Sequence, residues 1–149
     1  MTTQVSPSYR ETATTNTASN DRSTFLRRVL WGNAIFSTLC ALIILLGLGP
    51  VTTFMGWPLQ WPLLVLGLGL LPFAFFVASV ARKTPFNTTL AWIVIEMDIA
   101  WVIGSAAILM IGWPASTTVG GQWAIGIVAE IVALFAILQY FGVRRLNRK

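Results

Sequence analysis

Three carboxylic acids, Glu96, Asp98 and Glu130, lie in long apolar stretches that contain no lysine, arginine or histidine. A charged carboxylate at the middle of a bilayer costs about 2.5–3.5 kcal/mol even on the lenient insertion scale, so each must be protonated, hydrogen-bonded or hydrated. Asp98 and Glu130 fall nearest the centres of their stretches. Without a basic counter-ion they are equipped to share a proton, which is the chemistry of a proton- or cation-coupled carrier. Kept neutral and hydrogen-bonded to Asn33, Ser37 or Gln139, the same acids would be interhelical glue worth about 0.6 kcal/mol per bond. Both readings stand on the sequence. Other chemistries fail on residue counts. With no His there is no imidazole metal site, Ser-His-Asp triad or His-ligated haem. Cys40 is the only cysteine, so it forms neither an internal disulfide nor a thiolate cluster. The sequence therefore predicts no catalytic residue, no metal and no cofactor.

Positioning these residues requires membrane-crossing helices. The 149 residues are 56% hydrophobic and only 10% charged, with a mean hydropathy of +0.74. A soluble domain carries about 25% charged residues, so the solvent this chain expects is lipid. Apolar runs at about 29–49, 61–81, 89–113 and 122–142 are each long enough for the roughly 30 Å hydrocarbon layer. Only helices satisfy their own backbone amides there. The fold class read from this is an all-α, up-down four-helix membrane bundle over residues 25–149. Residues 1–24, rich in Ser and Thr, read as a disordered cytoplasmic tail. The run at 29–49 is too long for a signal-peptide core. Gly49-Pro50, Trp57-Pro58, Thr84-Pro85 and Trp113-Pro114 supply breaks, and Pro72 is expected to kink the second span. Asn87-Thr88-Thr89 fits a glycosylation acceptor formally but reads as a helix N-cap.

All ten Lys and Arg fall before or in the first turns of span one, in the 82–88 connector, or at the C-terminus. The connectors at 50–60 and 114–121 have none and are flanked by Phe54, Trp57, Trp61, Trp113 and Trp123. Under the positive-inside rule both termini and the 82–88 connector face the cytoplasm, with an aromatic belt on the other side. The net charge of +5 then means topology and anionic-lipid contact, and nucleic acid is not an expected partner. Expected partners are the bilayer, a second copy of the chain or another membrane protein.

Helical periodicity sorts the polar residues by face. Asn33, Ser37, Cys40, Ala41 and Gly47 make one stripe in the first span, and Gly67, Ala74, Ala78 and Ala81 one in the second. The third repeats Ala91, Asp98, Ser105 and Gly112. The fourth offers Gln122, Gly126, Ala129, Glu130, Ala133, Ala136 and Tyr140. Converging, these stripes would gather Asn33, Ser37, Asp98 and Glu130 in the bundle interior. Glu96, about 200° from Asp98, cannot share that face and points to another subunit or toward Arg27, Arg28 or Gln139. Trp101, one turn from Asp98, reads as a packing residue or part of a ligand pocket. Sliding the chain by 65 positions sets Asn33 on Asp98 and Thr52-Thr53-x-x-Gly56 on Thr117-Thr118-x-x-Gly121, the pattern of an internal duplication.

Trp31-Gly-Asn-Ala-Ile-Phe-Ser37, Asp98-Ile-Ala-Trp-Val-Ile-Gly-Ser105 and Gln139-Tyr-Phe-Gly-Val-Arg-Arg145 resemble segments of small four-span bacterial inner-membrane proteins, DoxX-like in size and layout. The resemblance covers residues 27–149 and implies the four-span fold but no catalytic residue. Small multidrug transporters share the size but place their essential Glu in the first span, where this chain has Asn33 and Ser37. The expected function is that of a structural or accessory membrane subunit without enzyme activity, with a proton- or cation-coupled carrier as the alternative.

Overall fold

Each apolar run folds on itself, because lipid offers a backbone amide no partner outside its own segment. The computed structural model describes the backbone of residues 7–147 and the side chains of residues 24–146. The side chains of Arg10, Glu11, Asp21, Arg22, Arg148 and Lys149 lie outside the described residues. The helices are α1 (Pro7–Leu46), α2 (Leu48–Met55), α3 (Trp61–Arg82), α4 (Thr88–Ile111) and α5 (Val119–Asn147). Four segments are long and apolar enough to cross a membrane: Thr24–Leu46, Trp61–Arg82, Thr88–Ile111 and Val119–Leu146. The chain is an all-α, multi-pass bundle.

Two boundaries of α1 differ from the sequence reading. Residues 7–24, expected as a disordered tail, continue α1 as helical backbone. Once a helix is nucleated by the apolar span, adding further residues costs little, even for polar ones. The first span ends at Leu46 rather than at Gly49-Pro50, because the helix unwinds at Gly47 (φ −107°, ψ 27°) and restarts as α2. Pro50 then sits in the first turn of α2, where its missing N–H loses no intrahelical bond. α3 runs without interruption across Pro72. Asn87 caps α4 as expected, its Oδ1 accepting from the backbone N–H groups of Thr89 at 3.0 Å and Leu90 at 3.2 Å.

α1 packs most extensively against α3 and then α5, and α4 packs chiefly on α5. Of the neighbouring spans α3 and α4 touch least, and α1 and α4 stand diagonally across the bundle. The two ends are built differently. At the basic end Leu26, Leu30, Val77, Val80, Val94 and Val143 form a tight core. Arg27 closes it, donating to the carbonyls of Ala81 at 2.7 Å and Lys83 at 2.5 Å while its guanidinium lies 5.6 Å from the Phe86 ring centroid. Arg82 answers from α3, 5.1 Å from the Trp31 ring. At the aromatic end the two connectors are tied together. Trp57 Nε1 donates to Thr117 Oγ1 at 3.1 Å, and Thr118 donates through N to Met55 O at 3.0 Å and through Oγ1 to Phe54 O at 2.6 Å.

Candidate functional site

Asp98 is 2% exposed, and Asn33 and Gln139 are fully buried. Asp98 Oδ2 accepts from Asn33 Nδ2 at 2.7 Å and from Gln139 Nε2 at 3.0 Å. Ser37 Oγ, one turn along α1, donates to Asn33 Oδ1 at 3.4 Å. One carboxylate oxygen thus joins α1, α4 and α5. The geometry follows from three short facts: Asn33 and Ser37 are four apart on one face of α1, Asp98 lies on the Ala91–Ser105 stripe of α4, and Gln139 lies on the packed face of α5. Gln139 Oε1 is buried without a hydrogen-bond partner. Asp98 Oδ1 takes no hydrogen bond from the described residues.

The predicted stripes are buried along most of their length in three helices, with Cys40, Gly47 and Ala78 half-buried and Gly112, at the end of α4, exposed. Asn33, Ser37 and Ala41 are buried in α1; Gly67, Ala74 and Ala81 in α3; Ala91, Asp98 and Ser105 in α4. The fourth is corrected. In α5 the buried face carries Val132, Ala136, Gln139 and Val143, whereas Glu130 is exposed beside Ile127, Leu134 and Ile137. Nine residues at about 100° each set Glu130 roughly 180° from Gln139, so turning the amide toward Asp98 turns the acid outward. Asp98 and Glu130 therefore do not meet. Glu96 is also exposed, as its separation from Asp98 requires, and it forms no ion pair with Arg27 or Arg28 among the described residues. Both basic side chains are occupied elsewhere or turned to the surface.

Beside the clasp the helices leave a space that is half open to the outside. A cavity of about 360 Å³ is walled by Ser37, Phe73, Asp98, Trp101 and Val132, among others, and draws on α1, α3, α4 and α5. A second cavity of about 330 Å³ adjoins it toward the aromatic end, reaching Trp57 and Ser105. Cys40, Leu66, Leu70, Trp101 and Val128 line both. Trp101 Nε1 is buried with no partner. Periodicity alone gave no signal of these spaces, because a cavity depends on how far α3 and α4 splay. No His/Cys/Asp/Glu group among the described residues is arranged to hold a metal. Comparison with family models, curated proteins and solved structures returns no match.

Proposed function

We propose that the chain is a non-catalytic accessory subunit of a bacterial inner membrane, DoxX-like in layout, with both termini cytoplasmic. It would assemble with another membrane protein through the outer face of α4 and α5. The observation that carries this reading is the outward placement of Glu130 on an otherwise apolar, exposed surface, with no ion pair among the described residues. A carboxylate left facing lipid is costly, and covering it with a complementary helix removes that cost. A groove of about 530 Å³ runs beside it between α4 and α5, lined by Ile99, Ile103, Ala133 and Ile137 among other apolar and aromatic side chains. Neither acid lines the groove itself; Glu130 stands about one turn from Ala133 on α5, and Glu96 about one turn from Ile99 on α4. No lysine or arginine occupies the middle of any span. A second copy therefore brings no cation to this face, and the fitting partner is a membrane helix with a basic residue in its span.

The experiment uses the full chain in lipid nanodiscs with a fluorescent poly-leucine transmembrane peptide carrying one central lysine. Energy transfer to that peptide, lost in Glu130→Gln and absent for the all-leucine peptide, is the expected result. Equal association of the two peptides, or of neither, overturns the reading. A carrier built on Asp98 and Glu130 has less support, because the half-turn between Glu130 and Gln139 leaves Asp98 as a solitary interior acid.

A further inference from the structure

The two adjoining cavities hold more space than water can use. Water occupies about 30 Å³ and needs two to four polar partners, whereas a cavity lined by Leu, Ile and Phe stays dry and takes up an apolar guest. The wall of the 360 Å³ cavity is apolar apart from Ser37, Cys40, Asp98 and Trp101. Volumes near 330 and 360 Å³ lie within the roughly 300–1000 Å³ of small-molecule sites. The occupant is therefore mostly hydrocarbon. Its access is the α3–α4 seam, where the helices make their fewest contacts.

The polar end of that occupant is set by two unfilled valences on one face of α4. Asp98 Oδ1 takes no hydrogen bond from the described residues while its sister oxygen is held by two amides. Trp101, three residues on, lines the same cavity with its ring, and its indole N–H, covered by neighbouring side chains, has no acceptor among the described residues. If Asp98 is ionised, Oδ1 needs a donor; if it is protonated, the acid needs an acceptor. A hydroxyl serves in either state and can also accept from the indole. An acyl ester only accepts, an ammonium only donates, and an alkane does neither.

We propose that these cavities form a binding site for a neutral, lipid-soluble alcohol, whose hydroxyl hydrogen-bonds Asp98 Oδ1 and, once the indole ring turns toward the cavity, Trp101 Nε1. Its hydrocarbon chain runs past Leu66, Leu70 and Val128 toward the aromatic end. The polar clasp holds Asp98 so that Oδ1 remains turned to this guest.

Three diazirine-bearing C16 probes test it, an alcohol, the matching alkane and the matching amine, each photolysed with the full chain in nanodiscs. Peptide mass spectrometry then maps the adducts. The alcohol is expected to label Leu66, Leu70 and Val128, and the alkane to label only outward-facing residues such as Ile127 and Leu134. Trp101→Phe, which leaves every clasp residue in place, is expected to weaken cavity labelling by the alcohol about five- to tenfold, the effect of one lost hydrogen bond. Asp98→Asn is expected to lower it as well. Equal cavity labelling by alkane and alcohol would mean that lipid tails fill the space and would overturn the proposal. Stronger labelling by the amine would overturn it in favour of a cationic guest. Cavity labelling unchanged in Trp101→Phe would remove the indole from the site and the two-point anchor with it.

Discussion

Asn33 and Asp98 stand on helices diagonal to each other, and a 2.7 Å hydrogen bond crosses the bundle between them. The same carboxylate oxygen also holds Gln139, so α1, α4 and α5 are referenced to one atom. In a membrane, where leucine packs as well against lipid as against protein, such bonds do more than apolar contact to choose one helix arrangement. The bundle's construction divides at this point. Below Asp98, toward the basic end, the core is filled; above it lie the cavities.

Removal of either partner of that bond should therefore cost stability in a coupled way. Asn33→Ala and Asp98→Ala are each expected to lower unfolding free energy in detergent by about 1 kcal/mol, given about 0.6 kcal/mol per interhelical bond and more for the amide left unpaired. The double variant should fall short of the sum, because the second change removes a bond already gone. Strict additivity in a double-mutant cycle would show that the two side chains do not stabilise the bundle together.

Gly67 and Gly69, two residues apart on α3, should respond oppositely to alanine. A Cβ at Gly67 would lie 2.9 Å from Leu45 Cγ and Cδ2 and 3.1 Å from Ile44 Cγ2, whereas one at Gly69 would meet nothing within 4 Å. Gly69→Ala should stabilise the helix by about 0.5–1 kcal/mol through propensity. Gly67→Ala should forfeit that gain by pushing α1 away, and Gly67→Leu should be strongly destabilising. Thermal unfolding in one detergent distinguishes these; Gly67→Leu melting with the parent would contradict the close α1–α3 approach.

How far the sequence reading succeeds differs by helix, for a physical reason. In α1 and α4 the small residues share a face with Asn33 and Ser37 or with Asp98 and Ser105, and that face is buried, although Glu96 lies on the opposite, exposed side of α4. In α5 the small residues and Glu130 share a face that is half-exposed, while Gln139 on the other side carries the interhelical bond. Lipid accepts apolar side chains on every side, so hydrophobic periodicity does not orient a helix that has polar groups on two faces. Gly47 is a similar case. Gly49-Pro50 is the stronger breaker on paper, but a proline in the first turn of α2 is compatible with helix, and the glycine two residues earlier makes the break. The paired Thr-Thr-x-x-Gly motifs also end in different structures: Gly56 ends α2 with φ 72°, whereas Gly121 lies inside α5.

Gly56 and Gly112 both adopt left-handed backbone, at φ 72° and 66°, yet only one is crowded. A Cβ at Gly56 would collide with the Ser116 carbonyl and approach Thr118, while Gly112 has open space. Gly112→Ala should cost about 1–2 kcal/mol, the conformational term alone. Gly56→Ala should cost clearly more, because the clash separates the two connectors at the aromatic end. Equal losses for the two variants would mean that Ser116 moves aside freely.

Arg27 and its neighbour Arg28 provide a matched pair at the basic end. Arg27 bonds the Ala81 carbonyl in the last turn of α3 and the Lys83 carbonyl just beyond it and stacks on Phe86; Arg28 is exposed. Arg27→Ala should expose the 82–88 connector to trypsin at Lys83, with cleavage faster by several-fold, whereas Arg28→Ala should leave it near the parental rate. Identical digestion of the two variants would show that the guanidinium does not restrain the connector.

Thr118 makes three bonds at the aromatic end, two of them linking the connectors and the third capping α5. Its backbone N–H donates to Met55 O, its hydroxyl donates to Phe54 O at 2.6 Å, and the same Oγ1 accepts from Gly121 N at 2.9 Å, capping α5. Valine keeps the shape and deletes both hydroxyl bonds. An N-cap is worth about 1 kcal/mol, and a further hydrogen bond about 1 kcal/mol when buried and less when water replaces it. Since Thr118 is exposed, Thr118→Val should cost about 1–2 kcal/mol, while Thr118→Ser, which restores the hydroxyl, should cost little. The loosened cap also weakens the neighbouring Trp57–Thr117 contact, so tryptophan emission should shift to the red in the valine variant alone. Valine and serine variants that unfold at the same temperature would show that the hydroxyl does not hold α2 to α5.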